Sequence, residues 1–113
     1  MTEDAFRRLA LSLPQTEERA HMGHPDFRVG GKIFATLRAP TTGWGMVKLP
    51  PLEQRLFVLA EPDVFVPVKG AWGRRGATYV LLKSARQEKV RDALLAAWRR
   101  TAPKRVVQEF ERK

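Results

Sequence analysis

Cysteine is absent from this chain, which excludes a disulfide framework, a thiolate nucleophile and any thiolate-ligated metal or redox centre. Long apolar runs are absent too. No window approaches the ~20 apolar residues of a membrane span, so no membrane partner is expected. Met1-Thr2-Glu3-Asp4 opens acidic and no long apolar stretch follows it; this does not read as a secretory signal, and a cytoplasmic location is expected. Asparagine is missing, isoleucine occurs once (Ile33), and arginine outnumbers lysine 14 to 7. That bias fits a GC-rich coding sequence better than a selected function.

The residues that are present describe one ordinary globular domain. Its 113 residues are 43% hydrophobic and 29% charged, enough apolar surface for one core and too little chain for two. The net charge of +9 is unevenly spread. Residues 1–56 carry eight basic and six acidic side chains, residues 57–113 thirteen and six. Between Lys69 and Arg105 eleven basic residues face two acids, Glu88 and Asp92, so this stretch equals the whole net charge. Such density recruits polyanions through counterion release, which makes nucleic acid the first partner to weigh against a merely solvated face.

Helical spacing of Phe6, Leu9, Ala10 and Leu13 behind Thr2-Glu3-Asp4 predicts a short amphipathic helix ending at Pro14. Residues 18–22 carry a weak strand signal. Phe27 to Leu37 reads as a hairpin turning at Gly30-Gly31, since paired glycines supply the positive φ angles of a primed turn. Period two then places Val29, Ile33, Ala35 and Leu37 inward, with Arg28, Lys32, Thr36, Arg38 and Phe34 on the opposite face. Residues 44–49 make a further strand of the meander. Leu52, Leu56, Leu59 and Ala60 are expected to mark the inner face of a helix starting near Pro51. Phe65 to Val68 reads as extended and short, and Pro67 within it suits an edge position or an irregular segment. A basic loop from Lys69 to Gly76 leads to a strand at 77–82. Ser84 is expected to cap a final helix with Val90, Ala93, Leu94, Ala97, Trp98 and Thr101 inward, ended by Pro103. Beyond it, Val106, Val107 and Phe110 allow a short helix or a frayed end. This order predicts an α+β two-layer domain, an antiparallel sheet with helices packed on one face and the other face open.

The run Gly23-His24-Pro25-Asp26-Phe27-Arg28-Val29-Gly30-Gly31-Lys32-Ile33-Phe34-Ala35 resembles the signature hairpin of the MmcQ/YjbR-like proteins. The first helix, the Trp72-Gly73 loop, the Thr78 to Leu82 strand and the closing helix are similar in order and spacing, so residues 1–113 resemble one such domain. The resemblance implies a CyaY-like fold and a DNA-binding role, based in that family on a double-wing arrangement of hairpins. It implies no catalytic residues. Iron handling, which the frataxin side of that fold class suggests, fits poorly because the first helix offers only Glu3 and Asp4 as acids.

His21 and His24, with Glu17, Glu18 and Asp26 nearby, are the one constellation that could hold a metal, yet residues three apart on a strand face opposite ways unless Gly23 folds them together. His24 before Pro25 is expected to be a turn residue with a structural hydrogen bond. Ser12 and Ser84 lie in no nucleophile elbow. The glycine-rich basic loop lacks a P-loop ending and precedes a strand. Neither an enzyme nor a cofactor or metal requirement is expected. Trp72 beside Lys69, Arg74 and Arg75 suits stacking on a base while cations grip phosphates, against the alternative that it plugs the core. Arg28 and Lys32 form a second basic wing. The expected nucleic-acid contacts are therefore Arg28, Lys32, Lys69, Trp72, Arg74 and Arg75, on duplex DNA, through phosphates and with low sequence specificity, by a chain expected to be monomeric. The alternative is an interaction or small anionic ligand module using an open sheet face with Phe34 and Trp44 exposed.

Overall fold

The computed structural model of the chain describes residues 1–112. Helix α1 (Glu3–Leu11) starts where Thr2 accepts a hydrogen bond from the Ala5 amide at 3.0 Å, and Glu3 and Asp4 lie in its first turn. Both features offset the unpaired amides and positive pole of a helix start. Strands β1 (Thr16–His21), β2 (His24–Val29), β3 (Lys32–Leu37) and β4 (Trp44–Lys48) follow as an antiparallel meander. Helix α2 (Pro51–Ala60) leads to strand β5 (Phe65–Pro67), the four-residue helix α3 (Ala71–Arg74) and strand β6 (Ala77–Leu81). Helices α4 (Gln87–Thr101) and α5 (Lys104–Glu111) close the chain. The sheet order is β1-β2-β3-β4-β6-β5, with every pairing antiparallel. Pro67 thus falls on an edge strand, where its missing N–H breaks no ladder.

The core lies between one face of the sheet and the helices α1 and α4. Val90, Ala93, Leu94, Ala97 and Trp98 of α4 are fully buried there with Phe6, Phe27, Leu37, Val47 and Val80. Trp98, expected inward, donates its indole N–H to the Pro14 carbonyl at 3.0 Å and meets Phe110 of α5 edge-on at 5.1 Å. With the buried Val106, that contact ties α5 to the core. No helix among the described residues is long and apolar enough to cross a membrane.

Four local expectations are corrected. Period two fails in β3 because a bulge sets Ile33, Phe34 and Ala35 against Arg28 and Phe27 alone. The extra residue reverses the alternation, so Phe34 is fully buried and Ile33 turns to the open face. In α2 the inner side is not the leucine stripe: Leu52, Leu56 and Leu59 are exposed, while Gln54 is buried and Phe57 packs on Phe65 at 5.1 Å. The helix is apolar on both flanks, and the three hydrogen bonds of Gln54 decide its rotation. Ser84 caps no helix; it ends a 3-10 turn, and Ala85 and Arg86 remain extended, so α4 begins at Gln87. The Met22-Gly23 turn, with positive φ at both residues, pairs His21 with His24 across β1 and β2. His24 therefore opens a strand, and its buried Nδ1 has no hydrogen-bond partner.

Candidate functional site

The face of the sheet away from α1 and α4 stays open, as its alternation requires. Strand register sets Asp26, Thr36, Met46 and Tyr79 side by side across β2, β3, β4 and β6. A cavity of about 330 Å³ lies over these strands. Its walls are mainly apolar: Ile33, Met46, Val68, Ala77, Tyr79 and Trp72, with Thr36, Lys48 and His21 as polar members. Thr36 is 4% exposed, and its hydroxyl has no hydrogen-bond partner. Trp72 is 62% exposed and so does not plug the core. Trp44 is half-buried on the same face, edge-on to Tyr79.

At the β1–β2 side of this face Asp26 is completely buried, yet ionic. Arg28 donates to it through Nε at 2.8 Å and Nη2 at 3.1 Å, and His21 Nδ1 lies 2.7 Å from Oδ2. The Arg28 guanidinium, helped by His21, holds the Asp26 carboxyl below its ordinary value against the opposing effect of burial. His21 and His24 lie with ring centres 6.1 Å apart. Among the described residues no group of three or more His, Asp or Glu is placed to hold a metal ion.

Lys48, at the end of β4, connects the two basic segments that the sequence left separate. It borders the apolar cavity and two cationic ones. One, of about 470 Å³, is lined by Arg28, Lys32 and Ile33 of the β2–β3 hairpin together with Lys48 and Arg100. The other, of about 110 Å³, is lined by Lys48, Trp72, Arg75 and Arg100. Neither cationic lining includes a carboxylate among the described residues. The Lys48 ammonium sits 5.8 Å from the centre of the Trp72 ring. Burial, and then the nearby Arg100, lower its pKa; a desolvated cation beside another cation is stabilised by an anion arriving between them.

Four of the six expected residues thus border the two cavities that Lys48 and Arg100 share: Arg28 and Lys32 from the hairpin line one, Trp72 and Arg75 from the loop the other. Lys69 and Arg74 are exposed but border none of these cavities. Lys48 and Arg100 were missed. Lys48 alternates with Trp44 and Met46 on the open face, a visible signal, but nothing in the sequence says that it reaches Trp72. Arg100 lies off the apolar stripe of the last helix, where spacing alone leaves a cation equally free for solvent or for phosphate.

The loop holding Trp72 is fixed from below. Gln54 of α2 donates to the carbonyls of Gly73 and Ala77 at 3.0 and 3.1 Å and to Thr78 Oγ1 at 3.0 Å. Arg100 Nη1 donates to the carbonyls of Leu49 and Arg75, the latter at 2.6 Å. Glycine is required at two places here. A Cβ on Gly73 would lie 1.5 Å from the Val68 oxygen, and one on Gly76 1.6 Å from the Leu49 oxygen. Arginine and tryptophan at this site therefore stand on an anchored backbone.

The YjbR family model matches residues 11–100. The chain belongs to the YjbR family. Its matched region runs from the end of α1 to the last turn of α4 and so contains the open face and the loop of Trp72. No curated protein matches the sequence. Among solved structures, the crystal structure of the Deinococcus radiodurans protein DR2400, with a DUF419 domain, is similar at a TM-score of 0.73 and 17% identity, over 97% of this chain and 88% of that one. At that identity the likeness supports the YjbR-like fold alone.

Proposed function

We propose that this YjbR-family protein is a non-enzymatic DNA-binding domain that holds the sugar-phosphate backbone with low sequence specificity. One observation carries the proposal: Lys48 and Arg100 join the Arg28 to Lys32 hairpin to the Trp72 to Arg75 loop as one tract of cations. Lys32, Lys48 and Arg75 make no ion pair among the described residues. Arg28 and Arg100 are oriented by Asp26 and by backbone carbonyls, leaving further N–H groups of each guanidinium for phosphate oxygens. Among the described residues the helical parts of this surface are the four-residue α3 and the last turn of α4, which favours backbone contacts over base reading by a recognition helix.

Fluorescence anisotropy with a labelled DNA at ~50 and ~200 mM salt tests the proposal, because displaced counterions predict a steep loss of affinity across that range. Weak binding that ignores salt would sink it. The alternative, a module for a small anionic ligand, draws on the apolar cavity beside Lys48 and predicts affinity that does not grow with strand length.

A further inference from the structure

The cationic tract alone leaves half of the site without a role. Beside it lies the open-face cavity, whose walls are apolar and aromatic and whose floor carries a hydroxyl, Thr36 Oγ1, buried without a partner. A duplex laid along the tract would offer phosphates to Lys48 and Arg75, but its bases are stacked and paired and would not enter.

We propose, resting on the DNA-binding reading above, that the bound form is a single strand and that the cavity receives one of its bases, unstacked. Size agrees: about 330 Å³ is at the small end of ligand pockets and suits one nucleoside, not a base pair. The chemistry agrees as well. Trp72 and Tyr79 both border the cavity, and aromatic side chains on open sheets are a general means of holding unpaired bases. The Thr36 hydroxyl can donate to or accept from a base edge, the one partner that an apolar guest would not supply. Lys48 then sets the connection between the two halves. It borders both the base cavity and the cationic cavities, so a nucleotide whose base lies against Thr36 and Tyr79 brings its phosphate to the Lys48 ammonium and the strand onward to Lys32 or Arg75. Exposure of Trp72 is consistent with this, since a ring that served only the fold would be covered.

The test compares a labelled 15-nucleotide single strand of mixed sequence with its 15-base-pair duplex, at ~50 mM salt, using the full chain. The native protein is expected to bind the single strand roughly tenfold tighter, the worth of about one stacked base, with quenching of tryptophan fluorescence. Trp72→Ala and Thr36→Val should each bring the ratio of the two affinities toward one, whereas Arg75→Ala should weaken both forms and keep the ratio. A ratio near one in the native chain, or a ratio that survives Trp72→Ala, overturns the base pocket while leaving DNA binding in place. Failure to bind either form overturns both proposals.

Discussion

Asp26 is an ionic residue with no exposure to water. Its side chain has no exposure and is bound by Arg28 on one side and His21 on the other. In the folded chain its pKa is lowered, chiefly by the Arg28 hydrogen bond, while in the unfolded chain it returns to about 3.9. The folded state therefore gains stability from this carboxylate at every pH above that ordinary value, and loses the gain as pH falls through the lowered one. Thermal unfolding followed from pH 7 downward should show a falling midpoint below about pH 4, and Asp26→Asn should flatten that acid limb. At neutral pH the same substitution is expected to cost about 1–3 kcal/mol, since Arg28 is left facing a neutral amide in a buried position. An acid limb unchanged in the variant would assign the pH dependence to other carboxylates. In the sequence Asp26 is only a neighbour of the histidines; its burial depends on β1 and β3 flanking it, which no local pattern reports.

At the scale of elements, α2 gives the sharpest contrast between pattern and packing. Leu52, Leu56 and Leu59 recur at helical spacing, yet they face solvent, and Phe57 and Gln54 face the fold. Leu56→Gln is thus expected to change stability by no more than about 0.5 kcal/mol. Phe57→Ala should cost about 2–3 kcal/mol, less than the ~3–5 of a fully buried ring because Phe57 is only half-buried. Denaturant unfolding of the two variants measures both, and equal costs would contradict the orientation of the helix. Periodicity is a sound guide when a helix has a single apolar stripe, as in α1 and α4. It fails for α2, where two stripes compete and a buried amide with three acceptors decides between them. The bulge in β3 is the strand counterpart. One extra residue moved Phe34 into the core and Ile33 onto the site, and period-two counting has no means of seeing it.

For the whole molecule the question is how a net charge of +9 is shared out. Only part of it forms the tract, and that part includes Arg28, Lys32 and Lys48 from the less basic half of the chain. If the tract holds phosphates, Lys48→Ala and Arg75→Ala should each lower the slope of log affinity against log salt by roughly 0.7 on a single strand, or roughly 0.9 on a duplex, the value of one phosphate contact. Lys69→Ala and Arg91→Ala lie off the tract and should leave the slope within error. Anisotropy at four or five salt concentrations measures this, and equal effects at all four positions would favour a diffuse, composition-driven attraction.

Much of the architecture was determined by the sequence alone. Paired glycines at 30 and 31, the Pro67 edge, the α1 cap at Thr2 and the apolar stripe of α4 are local signals, and each acts through backbone conformation or periodicity within a few residues. The signature hairpin likewise pointed to the YjbR family, and the family match over residues 11–100 agrees. The site was different. Arg28 and Lys32, Lys48, Trp72 and Arg75, and Arg100 come from four separate segments, and only the order β1-β2-β3-β4-β6-β5 together with the last turn of α4 brings them to one surface. Meeting across such sequence distances is a property of tertiary packing, because no local preference of the chain encodes which cation will lie beside Lys48.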